Sequence, residues 1–393
     1  MRALFVHNRY RQSGGEDAVF AAETAILRKH GHEVVEYLDD NHRIYGLNPL
    51  VVAANTVWSY SSRENLSQVL REAKPDVVHF HNTFLLISPA AYYACWETAL
   101  PVIQTLHNYR LLCPAATFFR DGHVCEDCLD KTPPWPGVWH ACYHDSRVQT
   151  GVVASMLTLH RLLKTWQNQV HIYIALTEFV RRKFIEGGLP EKKIVVKPNF
   201  VYSDPGMREG KGEYVLFVGR LSPEKGVSTL LKAWQNLKGI PLKIVGDGPL
   251  MEEVKAFVET HGLEKIEILG QRSHEEALSL IKGSRFLIFP SEWYETFGRV
   301  IIEAFACGVP VIASRLGAME EIVEDERTGL HFEPGNSEDL AAKVEWAWIH
   351  TKEMQEMGRE ARREYELKYT AQKNYEMLME IYRRAMEGSR RGH

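Results

Sequence analysis

The chain has 393 residues, 45% hydrophobic and 25% charged, a make-up that excludes a disordered or fibrous protein and predicts two ordinary domains. Its 47 Lys and Arg stand against 51 Asp and Glu, a net charge of −4, so bulk attraction to nucleic acid or to an anionic membrane is not expected. No apolar run is long enough for a membrane-spanning helix, and the apolar stretch near Met1 is too short for a signal peptide, which predicts a cytoplasmic protein.

In chain order, Ala3–Val6 is a short apolar run that ends in the glycine-bearing loop Arg11–Gly15. Apolar residues at helical spacing predict a helix from about Asp17 to His30, stopped by Gly31, and Glu33–Tyr37 reads as the next strand. Asp76–Phe80, Val102–Leu106 and His171–Ala175 are further strand candidates. After a polar, Pro- and Gly-bearing stretch at about Lys197–Gly212, read as a linker, the pattern restarts. Tyr214–Val218, Leu242–Val245, Ile266–Leu269, Phe286–Phe289 and Val311–Ala313 read as five strands. Glu338 to about Tyr369 reads as helix, and a last helix from Ala371 to about Met386 leads into a basic tail ending at His393. Such alternation predicts an α/β protein of two Rossmann-like domains, residues 1–200 and 201–370, with the helix of 371–393 packing back on the first. Ligands of doubly wound sheets sit beyond the carboxyl ends of the strands, so an interdomain cleft lined by those loops is the expected site.

Gly219-Arg220-Leu221-Ser222-Pro223-Glu224-Lys225-Gly226 follows the first strand of the second domain. Two cations at a helix start suit an anion: Arg grips phosphate oxygens bidentately, Lys supplies a compact charge, and the helix end adds unpaired N–H groups. The plainer reading is a pair of solvated cations on a surface loop. Glu295 and Glu303 are eight residues apart, about two helical turns, so both can face one side of an element. The apolar neighbours of Glu303 (Ile301, Ile302, Ala304, Phe305 and Ala306) predict a nearly buried carboxylate in need of a partner. No Asp-x-Asp follows a strand, and metal-independent chemistry is expected.

These pieces, with Val245-Gly246-Asp247-Gly248-Pro249, the run from Glu303 to Ser314 and Thr328-Gly329-Leu330, resemble the donor-binding half of a family 4 retaining glycosyltransferase of GT-B type. The first half resembles that family more loosely, through Gly14-Gly15 and Thr105-Leu106-His107. The resemblance implies transfer of a sugar from a UDP- or GDP-sugar to a hydroxyl of a glycan or lipid-linked acceptor, with retention of configuration and no further cofactor. It implies a role in surface polysaccharide or glycolipid synthesis, and peripheral contact with the inner face of the membrane. Arg220 and Lys225 would hold the diphosphate, Glu303 the ribose, and Glu295 the sugar, with the amides of Thr296, Phe297 and Gly298 nearby. Gly15 would bring an N–H to the diphosphate, His107 would face the donor sugar, and Gly246 and Gln271 would lie near the base. A nucleotide-sugar epimerase shares the fold type and is the alternative.

The segment of about 108–146 stands outside that resemblance. Cys113, Cys125, Cys128 and Cys142 fall among turn formers such as Pro114, Gly122 and Pro133, and four thiols match the ligand count of a structural zinc site. Free thiols or a redox pair are the competing readings. Trp135, Trp139 and Tyr143 would cover such a metal knuckle or stack on sugar rings. His79 and His81, spaced to face one side of a strand, read as core or wall residues.

Overall fold

A computed structural model describes residues 1–11 and 14–391; Gln12 and Ser13 of the first loop, and Gly392 and His393 of the basic tail, lie outside the described residues. The chain divides into two units, Met1–Phe118 with Cys125–Pro198 and Asn374–His393, and Phe119–Val124 with Asn199–Lys373.

The strands of the chain are β1 (Arg2–Arg9), β2 (Glu33–Asp40), β3 (Val77–Asn82), β4 (Val102–Thr105), the hairpin strands β5 (Phe119–Arg120) and β6 (His123–Val124), β7 (Ile172–Ala175), β8 (Ile194–Val196), β9 (Tyr214–Val218), β10 (Leu242–Val245), β11 (Ile266–Gly270), β12 (Ser284–Phe289), β13 (Val311–Ser314) and β14 (Gly329–Phe332). The first unit holds a six-stranded sheet in the order β2-β1-β3-β4-β7-β8, and the second one in the order β11-β10-β9-β12-β13-β14. Every pairing in both is parallel. A parallel sheet is covered on both faces, which is why Ala3–Val6, β13 and β12 are short, continuous and fully buried rather than alternating. Each strand order reverses direction once, between β1 and β3 in the first sheet and between β9 and β12 in the second. The crevice at such a reversal is where open α/β sheets take ligands.

Four sequence expectations are corrected. β8 and β14, of three and four residues, went unread because runs so short carry no period. The helix read through 338–369 is two, Ser337–Ile349 and Thr351–Lys368, because His350 leaves helical geometry at ψ 62°. Lys197, placed at the head of the linker because that stretch is rich in Pro and Gly and has no period, is fully buried. The last helix runs Ala371–Arg391, and it completes the first unit's core with Leu378, Ile381, Tyr382 and Ala385 beside Ala3, Phe5 and Ile103. Its Tyr375 ring stacks on His30 at 3.7 Å between centroids.

Candidate functional site

In the second unit the loops after β9 and β12 lie at the strand reversal. After Val218 a short turn, Pro223–Lys225, leads into the left-handed Gly226 (φ 67°) and the helix Val227–Asn236. A Cβ on Gly226 would fall 1.8 Å from the Pro290 carbonyl oxygen, so only glycine lets the two loops lie against each other. Glu292 N–H donates to the Glu224 carbonyl at 2.9 Å, and Thr229 Oγ1 donates to Glu292 Oε1 at 2.6 Å. The result is a direct contact between residues 70 apart in the chain: Lys225 Nζ donates to Glu295 Oε1 at 2.5 Å. Ser291 Oγ donates to the same oxygen at 2.8 Å. The ammonium also faces the rings of Trp293 and Phe289, at 5.2 and 5.8 Å from their centroids. Arg220 is exposed, on the same loop as Lys225.

Glu295 and Glu303 do not share a helix. The helix begins at Arg299, after Gly298 at φ 79°, and only Glu303 lies on it. Glu295 sits in the preceding loop, 6% exposed, beside Thr296 and the buried Phe297. Burial raises the Glu303 carboxyl above its ordinary range, and Arg299 and His274 hold it back. Arg299 donates to Glu303 Oε1 at 3.1 Å, one helical turn away. Below these residues the backbones of β9, β10 and β11 close up. Gly246 N–H donates to the Gly270 carbonyl at 2.9 Å, and a Cβ on Gly246 (φ 138°) would meet the Gly219 oxygen at 1.8 Å. Gln271 is exposed at the end of β11. Ser291, Arg299 and His274 were missed in the sequence, since nothing in periodicity marks which polar residue of a loop or helix start will meet a carboxylate.

In the first unit the reversal lies between β1 and β3. Gly15 opens the helix Gly15–Lys29, and Gly14 N–H donates to Asp17 Oδ2 at 2.7 Å. Asp17 also meets His7 Nε2 at 2.8 Å; burial raises its carboxyl, but the bonds from His7 and Gly14 outweigh that and hold it below the usual range. The neighbouring Glu16 is pushed up to about 8 by burial, with Asp17 adding to the rise and Arg110 opposing it. His107, just past β4, places Nε2 at 2.9 Å from Nδ1 of His81 on β3, and burial drives its ring down to about 3.

Beneath His81 lies a cluster that the sequence did not reveal. Glu23 and Lys197, both fully buried, pair at 2.6 Å. Glu23 had a signal: it stands four residues after Val19 and four before Leu27, an acid on the apolar face of its helix. Among the described residues, the potential ligand atoms gathered within 4.8 Å of one another in a group of three belong to Glu23, His79 and His81.

The four cysteines do not form such a group. They do lie near one another: Cys128 is raised to about 12 by burial and by Cys113, Cys142 and Cys125. Its sulfur accepts from Gly137 N–H at 3.2 Å. Trp135 and Trp139 are 57% and 65% exposed.

Comparison with known proteins gives two matching family models, Glycosyltransferase Family 4 over residues 14–204 and Glycosyl transferases group 1 over residues 203–364. An uncharacterized glycosyltransferase of Methanocaldococcus jannaschii is 33% identical over 53% of this chain and 58% of its own length. A D-rhamnosyltransferase of Pseudomonas aeruginosa is 33% identical over 40% of this chain and 42% of its own. The chain thus spans about half the length of these relatives. Among solved structures, Anabaena HepE in complex with UDP superposes with a TM-score of 0.67 at 18% identity, covering 97% of this chain and 99% of that one. Sucrose-phosphate synthase of Thermosynechococcus elongatus gives 0.71 at 15% identity, covering 98% and 99%. The two family matches meet where the first unit gives way to the second, so the chain is similar to family 4 glycosyltransferases over its first half and to group 1 glycosyl transferases over its second, and it shares the two-domain fold of the solved structures.

Proposed function

We propose that the protein transfers a sugar from a nucleoside diphosphate sugar to a hydroxyl, with retention of configuration. The observation that carries this is the Lys225–Glu295 contact at the strand reversal, which sets a cation for a diphosphate beside a carboxylate for sugar hydroxyls. Breaking the bond between sugar and phosphate builds negative charge on the departing diphosphate. Lys225 and Arg220 stabilise that charge without reorganising. Glu303, its carboxyl raised by burial and tethered to Arg299, suits the ribose hydroxyls, and the close-packed backbone at Gly246 and Gln271 suits the base. Gly15 and His107 are assigned to the donor by the family resemblance. We assign a glycan or lipid-linked acceptor, a place in surface polysaccharide or glycolipid synthesis, a cytoplasmic setting at the inner face of the membrane, and chemistry that draws on no divalent metal.

Incubation with a panel of UDP- and GDP-sugars decides the matter. A transferase releases free nucleotide at a rate that rises when an acceptor is added. An epimerase instead converts the sugar with no acceptor present, and no turnover with any donor removes the reading.

The cysteine segment is proposed to hold a structural zinc ion. Four thiols fit zinc in number and softness, but the sulfurs must draw together to bind it. Protein prepared without chelators should carry about one equivalent of zinc, and its removal should loosen residues 113–142 while both sheets persist. Four alkylatable thiols with no metal would end the proposal.

A further inference from the structure

The helix Arg147–Leu162 of the first unit is apolar on two opposite sides. Val153, Met156 and Leu157 form the buried side, against the core. Val148, Val152, Ser155, Leu159 and Leu162 recur every three or four residues and make a second stripe on the other side, about 21 Å long. Its ends are bare: Val148 is 79% and Leu162 72% exposed, and Leu163 just beyond is exposed as well. A helix with apolar residues all round is ordinarily covered all round, and here the second stripe is left open.

The cysteine segment widens that stripe. Its short helix Trp135–Trp139 lies alongside, held where Arg161 donates to the Lys131 carbonyl at 2.5 Å and Arg147 Nε to the Trp139 carbonyl at 3.2 Å. An open groove of about 570 Å³ runs there, lined by Trp135, Val138, Gly151, Ala154, Leu159 and Leu162 among others. Its two hydroxyls are turned into the helix: Ser155 Oγ donates to the Gly151 carbonyl at 2.8 Å and Thr158 Oγ1 to the Ala154 carbonyl at 2.6 Å. Among the described residues the lining holds no carboxylate or amide side chain, so nothing in it grips the hydroxyls of a sugar stacked on the tryptophans.

The charge around the groove is mostly positive. From Ser146 to Thr177 the chain carries no Asp or Glu, in a protein that has 51. Arg147 and Lys164 are exposed at the two ends of the helix, and the Arg147 guanidinium lies 5.5 Å from the centre of the Trp139 ring. Of the flanking acids Asp130 and Asp145, the first pairs with Lys131 at 3.7 Å. These charges select what covers the face. Two copies meeting on this helix about a twofold axis would set Arg147 against Lys164 if antiparallel, or each against itself if parallel, with no acid on the helix to answer them. An anionic lipid surface satisfies the cations and the apolar stripe together.

We propose that this face docks the protein on an anionic bilayer. The groove takes hydrocarbon, Trp135 and Trp139 sit at headgroup level, and Arg147 and Lys164 meet lipid phosphates. Docking here gives the membrane setting proposed above a place on the molecule, and its use in transfer rests on that reading.

The test is flotation of the full-length protein with vesicles of phosphatidylcholine, alone or mixed with phosphatidylglycerol. Wild type should float with the mixed vesicles and bind the neutral ones about 30-fold more weakly, the effect of two cations at a charged surface. Val148→Glu/Leu162→Glu puts two carboxylates on the open stripe and should abolish flotation, while nucleoside diphosphate affinity and the urea midpoint keep their wild-type values. Trp135→Ser/Trp139→Ser leaves the long helix untouched and should weaken binding about 10-fold. Wild type that does not float with mixed vesicles overturns the proposal, as does a folded Val148→Glu/Leu162→Glu protein that floats as wild type does. A wild-type dimer in light scattering that this variant dissociates, with no flotation, overturns it in favour of an interface between copies. Turnover on a donor without flotation faults the docking alone. Flotation with no turnover on any donor upholds the docking and faults the transferase reading.

Discussion

Lys225→Ala should lose about 100-fold in transfer rate, some 3 kcal/mol of transition-state stabilisation, while the protein stays folded. The side chain emerges from a short turn and touches Glu295, Trp293 and Phe289. Its loss therefore removes charge from the site without opening the core. Glu295→Ala separates the two partners of the contact. Lys225 keeps its charge there, so affinity for free nucleoside diphosphate should hold while sugar transfer falls. Isothermal titration with the diphosphate, set beside turnover, reads both variants. Near-wild-type turnover in Lys225→Ala would remove the diphosphate assignment, and equal losses of affinity and rate in Glu295→Ala would mean that this carboxylate serves only to hold the lysine.

Acid should destabilise the first unit earlier than it does most proteins. Burial holds the rings of His79 and His81 well below 6.5, and His107 at about 3. Below about 6.5 the unfolded chain takes up protons on these rings and the folded chain does not, so stability is full above that pH and is lost as pH falls toward the folded values. Each fully buried ring contributes on the order of 1.4 kcal/mol per pH unit in that window. Glu16 works the other way: its folded carboxyl, raised to about 8, keeps a proton that the unfolded chain gives up above its ordinary 4.5, so its contribution declines as pH rises between those values. Several histidines against one such carboxyl give a net loss on acidification. Urea midpoints at pH 7.5 and 5.0 measure it; a flat profile would mean that the His79–His81 cluster is protonated in the fold.

The second unit was the more legible of the two. β9 and β10 were read with their boundaries, because each is a short stretch of mostly apolar residues closed by a glycine. The loops that bear Lys225 and Glu295 were legible through motif resemblance, but their contact was not, since it is made by Gly226 passing under Pro290 and no local pattern encodes a meeting across 70 residues. Lys197 shows the opposite failure. A lysine at the head of a Pro- and Gly-bearing stretch reads as solvated, and it takes Glu23, 174 residues away, to bury it. Glu23 went unread as well, although an acid on an apolar helix face is the kind of local inconsistency that marks a partnered charge.

The last helix has a consequence for how the protein is made. Chains commonly fold their N-terminal domain first as they are synthesised. Here Leu378, Ile381, Tyr382 and Ala385 belong to the same core as Ala3 and Phe5, and Tyr382 caps His79. The second unit's sheet is complete in sequence by Phe332, well before those residues emerge. The nascent first half therefore waits, with part of its apolar surface uncovered, until the ribosome has finished the second, and the order of folding runs against the order of translation.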